Sequence, residues 1–400
     1  MARFQRRAGQ SAAALGAASE VQLGLFTRIG AITAPKPAAN PAEPARIIFC
    51  LTLAMMGLGL IMQVSHAATT LPMAAFREEL VNLVVMRGMA VLALLGAWWI
   101  GLARLRPMIP ALAVIAVVLL LLVFVPGFSV AINGSRRWIQ IPGLSFTIQP
   151  SEVARVLAIL WLARRCVDLG DRVSDGLRGY LPTLVAGLVV TILILLEPDV
   201  GSTLLFGVAW MATMWVGGFQ GRHLAVSAVS CACAILLGAA SVLGYVRDRL
   251  AVFFGEASND QVARAAEAMA SGNFFGQGLG QGGFRNASLQ YMQTDYVCSL
   301  VGEELGLFGV LVLVGLWAGF IWNGLRLVRT VKDRFAALAA FGLTVGVTTQ
   351  AMIHLAVVTQ LSPPKGMALP LISDGGSALL ATCLAIGLVL GAARGEDHPA

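Results

Sequence analysis

Long unbroken apolar blocks alternate with short polar links along most of this chain. Ten of the blocks read as membrane-spanning helices, near residues 47–65, 82–103, 108–126, 151–164, 181–196, 201–218, 223–245, 297–323, 335–360 and 375–393. About 20 apolar residues in helical form cross the roughly 30 Å hydrocarbon layer, and a helix satisfies its own backbone polar groups there. The fourth and fifth blocks are short for a full crossing. The expected fold is an all-α polytopic membrane protein of about ten transmembrane helices, with a large extracytoplasmic segment, residues 246–296, between helices seven and eight.

Composition agrees with that pattern. Of the 400 residues, 58% are hydrophobic and 12% charged, and the mean hydropathy is +0.80. A globular chain is normally about one quarter charged. Cytosolic enzymes, nucleic-acid binders and secreted disulfide scaffolds are therefore set aside. The six cysteines lie in or at the ends of apolar blocks and read as small packing residues.

Charge sets the orientation. If residues 1–45 lie inside and the chain alternates, 18 of the 28 Lys and Arg fall on inner segments and 8 on outer ones. Cytoplasmic loops carry such an excess, so both termini are expected in the cytoplasm. Residues 1–45 read as a disordered tail without a signal peptide, 46–394 as the membrane domain, and 395–400 as a short cytoplasmic end.

The outer cations run against that bias and suggest an anionic ligand at the outer surface. Arg136, Arg137 and Trp138 form an interfacial cluster. Beyond it, Gln149-Pro150-Ser151-Glu152 opens a helix with Ser151 as the expected N-cap, and Glu152 and Arg155 can pair one turn apart. Glu197-Pro198-Asp199-Val200-Gly201 reads as a tight turn with no further role required.

The long outer segment holds a helix-like stretch from Asn259 to Ala270 that suits the membrane interface. A glycine-rich run from Gly272 to Gly283 follows, and then Asp295 stands just before a span. A partly dehydrated carboxylate at that mouth is a candidate general base. Glu303 and Glu304 lie deeper, and adjacent acids inside a span point to function. Finally, Pro363 to Ser377 is a Pro- and Gly-interrupted segment in which Lys365 is placed to meet an anion.

Taken in order, Arg137-Trp138-Ile139, Gln149-Pro150-Ser151-Glu152, Pro198-Asp199 with Gly201, Gly278-Leu279-Gly280, Thr294-Asp295, Gly302-Glu303-Glu304-Leu305-Gly306, Pro364-Lys365-Gly366 and Gly375-Gly376-Ser377 resemble the SEDS family (shape, elongation, division and sporulation). The match runs from about residue 47 to 393. The resemblance implies a peptidoglycan glycosyltransferase of the FtsW/RodA type, polymerising lipid II into glycan strands at the outer face of the bacterial cytoplasmic membrane. It also implies a class B penicillin-binding protein and other division proteins as partners, and no nucleic acid. On this resemblance the catalytic Asp falls on Asp295, and further motif residues fall on Glu152, Arg249, Glu303, Lys365 and Ser377. Arg137, Arg249 and Lys365 would meet the pyrophosphate charge, with a divalent cation (Mg or Mn) as a compatible addition and no organic cofactor expected.

Four positions depart from the family pattern. Gln293 stands where His is common, Asp374 where Tyr is common, Glu197 where Gln is usual and Arg155 where Lys is usual. The Gly302 to Gly306 run and the tail resemble FtsW more than RodA, which favours division over elongation. Two other readings stay open, a lipid II flippase and a non-catalytic scaffold that activates a partner synthase.

Overall fold

The computed structural model describes residues 40–132, 135–140, 147–241, 251–253, 260–283 and 293–394. Of the tail expected at 1–45, residues 1–39 lie outside those described and the last residues, from Ala42, belong to the first helix; residues 395–400 and Arg249 also lie outside the described residues. Eleven α-helices account for most of what is described: α1 (Ala42–Thr70), α2 (Met73–Leu105), α3 (Ile109–Leu122), α4 (Pro150–Leu169), α5 (Leu181–Leu196), α6 (Val200–Gly217), α7 (Gly221–Ser241), α8 (Asp260–Ser271), α9 (Val297–Thr330), α10 (Arg334–Val358) and α11 (Gly376–Gly391).

Each of the ten expected spans coincides with a helix, and α8 occupies the stretch expected at the interface. Seven helical segments among the described residues are long and apolar enough to cross a membrane. One is a 50-residue stretch, Met73–Leu122, which contains both α2 and α3. The helix that opens with Glu152 runs to Leu169, five residues past the expected end.

The helical architecture expected is observed, with two local differences. The link after α3 carries a three-stranded antiparallel sheet: β1 (Ser129–Ile132), β2 (Ser135–Gln140) and β3 (Thr147–Ile148). Its residues include Val130, Trp138 and Ile139, which suit a half-buried pleated surface outside the bilayer core. Ser151 is also not the N-cap of α4. Gln149 takes that place in extended conformation, Pro150 occupies the first turn, and Ser151 sits one step inside.

Side-chain contacts sort the links into two ends of the bundle. At one end Arg326 pairs with Glu43 at 3.3 Å, Arg164 donates to the carbonyl of Arg106, Arg334 to that of Gly217, and Arg394 to that of Trp98. At the other, Ser65 donates to Glu304, Arg137 to the carbonyl of Glu197, and Ser373 to that of Thr294. The first set contains the segments expected inside and the second those expected outside.

The long helix α9 is broken near its start. Gly306 takes φ 68° and ψ −165°, a region open essentially to glycine alone. Across the break the helical ladder is replaced by contacts with the glycine-rich run. Gln277 N donates to Glu303 O at 2.9 Å and Gly278 N to Glu304 O at 3.0 Å, while Leu307 N and Phe308 N donate to Asn273 O and Phe274 O. Non-helical backbone is tolerable there because these freed groups find protein partners.

Candidate functional site

The site assembles where the N-terminal ends of α4, α6, α9 and α11 meet the segment between α10 and α11. Asp199 caps α6, its carboxylate accepting from Ser202 N at 3.0 Å and Ser202 Oγ at 2.8 Å. Two cations converge on the same carboxylate: Lys365 Nζ lies 3.3 Å from Oδ1, and Arg137 Nη1 lies 3.7 Å from Oδ2. Arg137 is steadied further by donating to the carbonyls of Glu197 and Pro198 at 2.8 and 2.6 Å. Gln149 adds a bond from Nε2 to Oδ2 at 3.2 Å, and its own backbone N–H donates to Ser377 Oγ at 3.2 Å.

Electrostatics follow from that crowding. Burial opposes ionisation of Asp199, but Lys365, Arg137 and the Ser202 donors outweigh it and hold the carboxyl well below its ordinary range. Burial brings Lys365 down to about 8, with Asp199 countering part of the shift. Glu197 is 1% exposed, and burial together with the Asp199 charge pushes its carboxyl up to about 8. At neutral pH Glu197 is therefore protonated. The ionised trio of Arg137, Asp199 and Lys365 carries a net charge of +1, which suits an anionic ligand.

Asp295 lies next door. Its carboxylate packs against Gly366, so close that a Cβ there would stand 2.5 Å from Oδ2. Lys365 in turn runs over Gly201, where a Cβ would meet Nζ at 1.0 Å. Both glycines thus clear space for a charged side chain. The turn that carries Asp295 is pinned by Ser373 Oγ donating to Thr294 O at 2.6 Å and by Asp374 N donating to Gln293 O at 3.0 Å. His354 and Gln350 of α10 bind the carbonyl oxygens of Met367 and Ala368 at 2.8 and 3.1 Å and fix the segment that carries Lys365.

The sequence matches a known family. The model of the FtsW/RodA/SpoVE group, described as cell cycle proteins, matches residues 45–398. The chain belongs to that family.

Several family members are similar over most of their length. A Geobacter sulfurreducens protein named "Probable peptidoglycan glycosyltransferase FtsW" is 34% identical over 277 residues, covering 68% of this chain and 74% of that one. A Methylomonas methanica protein of the same name is 31% identical over 378 residues, covering 89% and 94%. Among solved structures, a chain from a peptidoglycan synthase complex studied for coordination of polymerization and crosslinking superposes with TM-score 0.73 at 25% identity, covering 87% of this chain and 96% of that one. The rod shape determining protein RodA of Thermus thermophilus superposes with TM-score 0.65 at 25% identity, covering 88% and 97%.

Of the residues singled out in this FtsW/RodA chain, Arg137 and Lys365 come together on Asp199, and Ser377 reaches it through Gln149. Glu152, 8% exposed, pairs with Arg155 at 3.6 Å. Beside them a cavity of about 50 Å³ has mostly apolar walls, with Glu152, Arg155, Gln350 and Thr382 as its polar lining. Glu303 sits elsewhere, buried against Gly282, where a Cβ would meet its carboxyl carbon at 2.5 Å. Asp199 was missed as the hub because a Pro-Asp-x-Gly turn explains itself locally. The signal available was the clearance that Gly201 provides two residues on.

The donor set does not fit a dedicated metal cage. Among the described residues no three His, Cys, Asp or Glu side chains group to hold an ion, and Asp199 already faces two cations. No step below passes through a metal.

Proposed function

We propose that this protein is a peptidoglycan glycosyltransferase that polymerises lipid II, acting in septal wall synthesis. The observation that carries the proposal is the Asp295 carboxylate against Gly366, one residue from a lysine that shares Asp199 with Arg137. A base and a preorganised cationic patch thus stand side by side, as glycosyl transfer from a lipid pyrophosphate requires.

In this reading the acceptor sugar hydroxyl gives its proton to Asp295 as its oxygen attacks the anomeric carbon of the donor. The bond from that carbon to the pyrophosphate breaks, and the leaving group takes the electron pair. Lys365 and Arg137, held in place before substrate arrives, face the charge that develops there. One base and no covalent intermediate give inversion at the sugar carbon. Arg249 belongs to the same cationic set in this reading, and Glu152, Glu303 and Ser377 hold substrate or the segments around it.

The chain then crosses the bacterial cytoplasmic membrane ten times, with both termini inside, the large extracytoplasmic segment between the seventh and eighth crossings, and the site facing out. Its partners are a class B penicillin-binding protein, which cross-links the strands, and other division proteins. The clustering of buried charges at one end of the bundle, away from mid-membrane, supports an enzyme over a flippase.

The deciding experiment is glycan-strand formation from lipid II by the purified chain, with and without its cognate penicillin-binding protein, comparing wild type with Asp295→Asn. The expected result is polymer from wild type and at least a hundredfold loss in a variant whose melting is unchanged, in line with removing a positioned base. Equal polymer from both removes Asp295 from the chemistry. No polymer from either, with the partner present, favours the flippase or scaffold.

A further inference from the structure

At the end of the bundle opposite the site, α1 stands off from α2 and α11 and leaves a groove of about 460 Å³. The cause is local. α2 and α11 press together where Gly387 meets Leu94, a Cβ there lying 2.3 Å from the Leu94 carbonyl oxygen, whereas α1 closes onto the bundle at its other end, where Gly59 meets the backbone of Ile372.

The lining is ordered by depth. α1, α2 and α11 with the short 3-10 turn that follows it each place a charged or interfacial aromatic residue at the mouth and an apolar residue about one turn deeper: Arg46 above Phe49, Trp98 above Leu95, Arg394 above Leu390. Arg394 is oriented by Nη1 donating to the carbonyls of Trp98 and Trp99 at 3.3 and 3.2 Å, and its guanidinium lies 4.8 Å over the Trp98 ring. Trp99 is 64% exposed and carries Arg104 over its ring at 5.2 Å. Tryptophans of this kind mark the headgroup level of a bilayer.

We infer that this groove is a binding site for an anionic phospholipid, its phosphate between Arg46 and Arg394 and one acyl chain along Phe49, Leu95 and Leu390. Arginine presents paired donors that match phosphate oxygens, and basic pockets between helices on the cytoplasmic side hold such headgroups. The volume falls within the range of roughly 300–1,000 Å³ usual for ligand sites. Charge also selects the occupant. Residues 1–39 of the chain carry five cations against one acid, Glu20, so that segment is repelled by the two arginines, whereas an anionic lipid is attracted. The assignment to the inner leaflet rests on the orientation given above. Lipid retention is read independently of polymerisation, so either proposal can fail alone.

The test is native mass spectrometry of the full chain released from bilayers of equal phosphatidylglycerol and phosphatidylethanolamine. Wild type is expected to retain one phosphatidylglycerol at least fivefold over phosphatidylethanolamine. Arg46→Gln with Arg394→Gln should bring that ratio to parity, and Ala45→Trp, which fills the groove with both charges intact, should remove the retained lipid. If Arg394→Gln disturbs the end of α11, Arg46→Gln alone and Ala45→Trp report the same ratio. A photoreactive residue at Phe49 should cross-link phospholipid. Equal retention of the two lipids by wild type, unchanged retention in the variants, or cross-links to residues 1–39 or to a second chain would overturn the inference.

Discussion

Lys365 and Asp199 meet at 3.3 Å with side chains only 16% and 6% exposed, although 166 residues separate them. The contact joins the start of α6 to the segment between α10 and α11, and Arg137 makes it a trio. Removing one partner from a buried pair strands the other, at about 3–5 kcal/mol, whereas removing both can be nearly neutral. Asp199→Asn should therefore lower stability by about 3 kcal/mol, and Asp199→Asn with Lys365→Met by clearly less than the two single losses combined. Chemical unfolding of the four proteins in detergent measures the coupling. Additive losses would mean that the pair contributes no interaction energy.

Gly366→Ala separates geometry from stability at the proposed base, Asp295. The new methyl would press on Asp295 Oδ2 at 2.5 Å and turn the carboxylate away, while the fold has only a side-chain tip to move. A drop of at least tenfold in kcat, with KM for lipid II little changed, is expected from steady-state polymerisation rates. An unchanged kcat would place the reacting atoms elsewhere.

Glu197 makes stability depend on pH. Its carboxyl is raised from 4.5 to about 8 by burial and by the Asp199 charge, so between those values the folded chain binds a proton that the unfolded chain has lost. Stability should fall as pH rises through that window, by up to about 1.4 kcal/mol per pH unit, and level off above it. Glu197→Gln, neutral at every pH, should flatten the slope in melting curves taken from pH 5 to 9. A slope identical in both proteins would show that another group is responsible.

At Gly306 the backbone itself is at stake. A Cβ would stand 2.3 Å from the amide nitrogen of Gly276, in a conformation that side chains avoid. Gly306→Ala should cost more than about 2 kcal/mol and loosen the glycine-rich run. Hydrogen exchange at Gln277 and Gly278, whose amides bond to Glu303 and Glu304 carbonyls, should accelerate along with it. Protection equal to wild type would contradict the ladder.

Asp374, a departure from the family pattern, has a local explanation. Its amide holds Gln293 two residues from Asp295, and its carboxyl is raised by burial, with nearby Arg87 countering. Arg87 is itself bonded to Gln63 at 2.6 Å, and Gln63 to the Ile372 carbonyl at 2.6 Å. The acid that looked out of place beside an anion site therefore faces an arginine of α2 instead.

What could be read from the sequence were features that each segment carries within itself. An apolar block of helical length satisfies its own hydrogen bonds, so the spans coincide with helices, and the period of α8 needed no partner. The Glu152–Arg155 pair was legible for the same reason, being one turn apart on one helix. Ordered short motifs also pointed to the family and to Asp295. Only the tertiary structure decided which charges meet. Asp199 looks like an ordinary cap until Lys365 arrives from a distant segment, and the carbonyls of Glu303 and Glu304 look helical until Gly306 turns and the glycine-rich run bonds to them. Such contacts depend on how helices pack, and no local pattern encodes the packing.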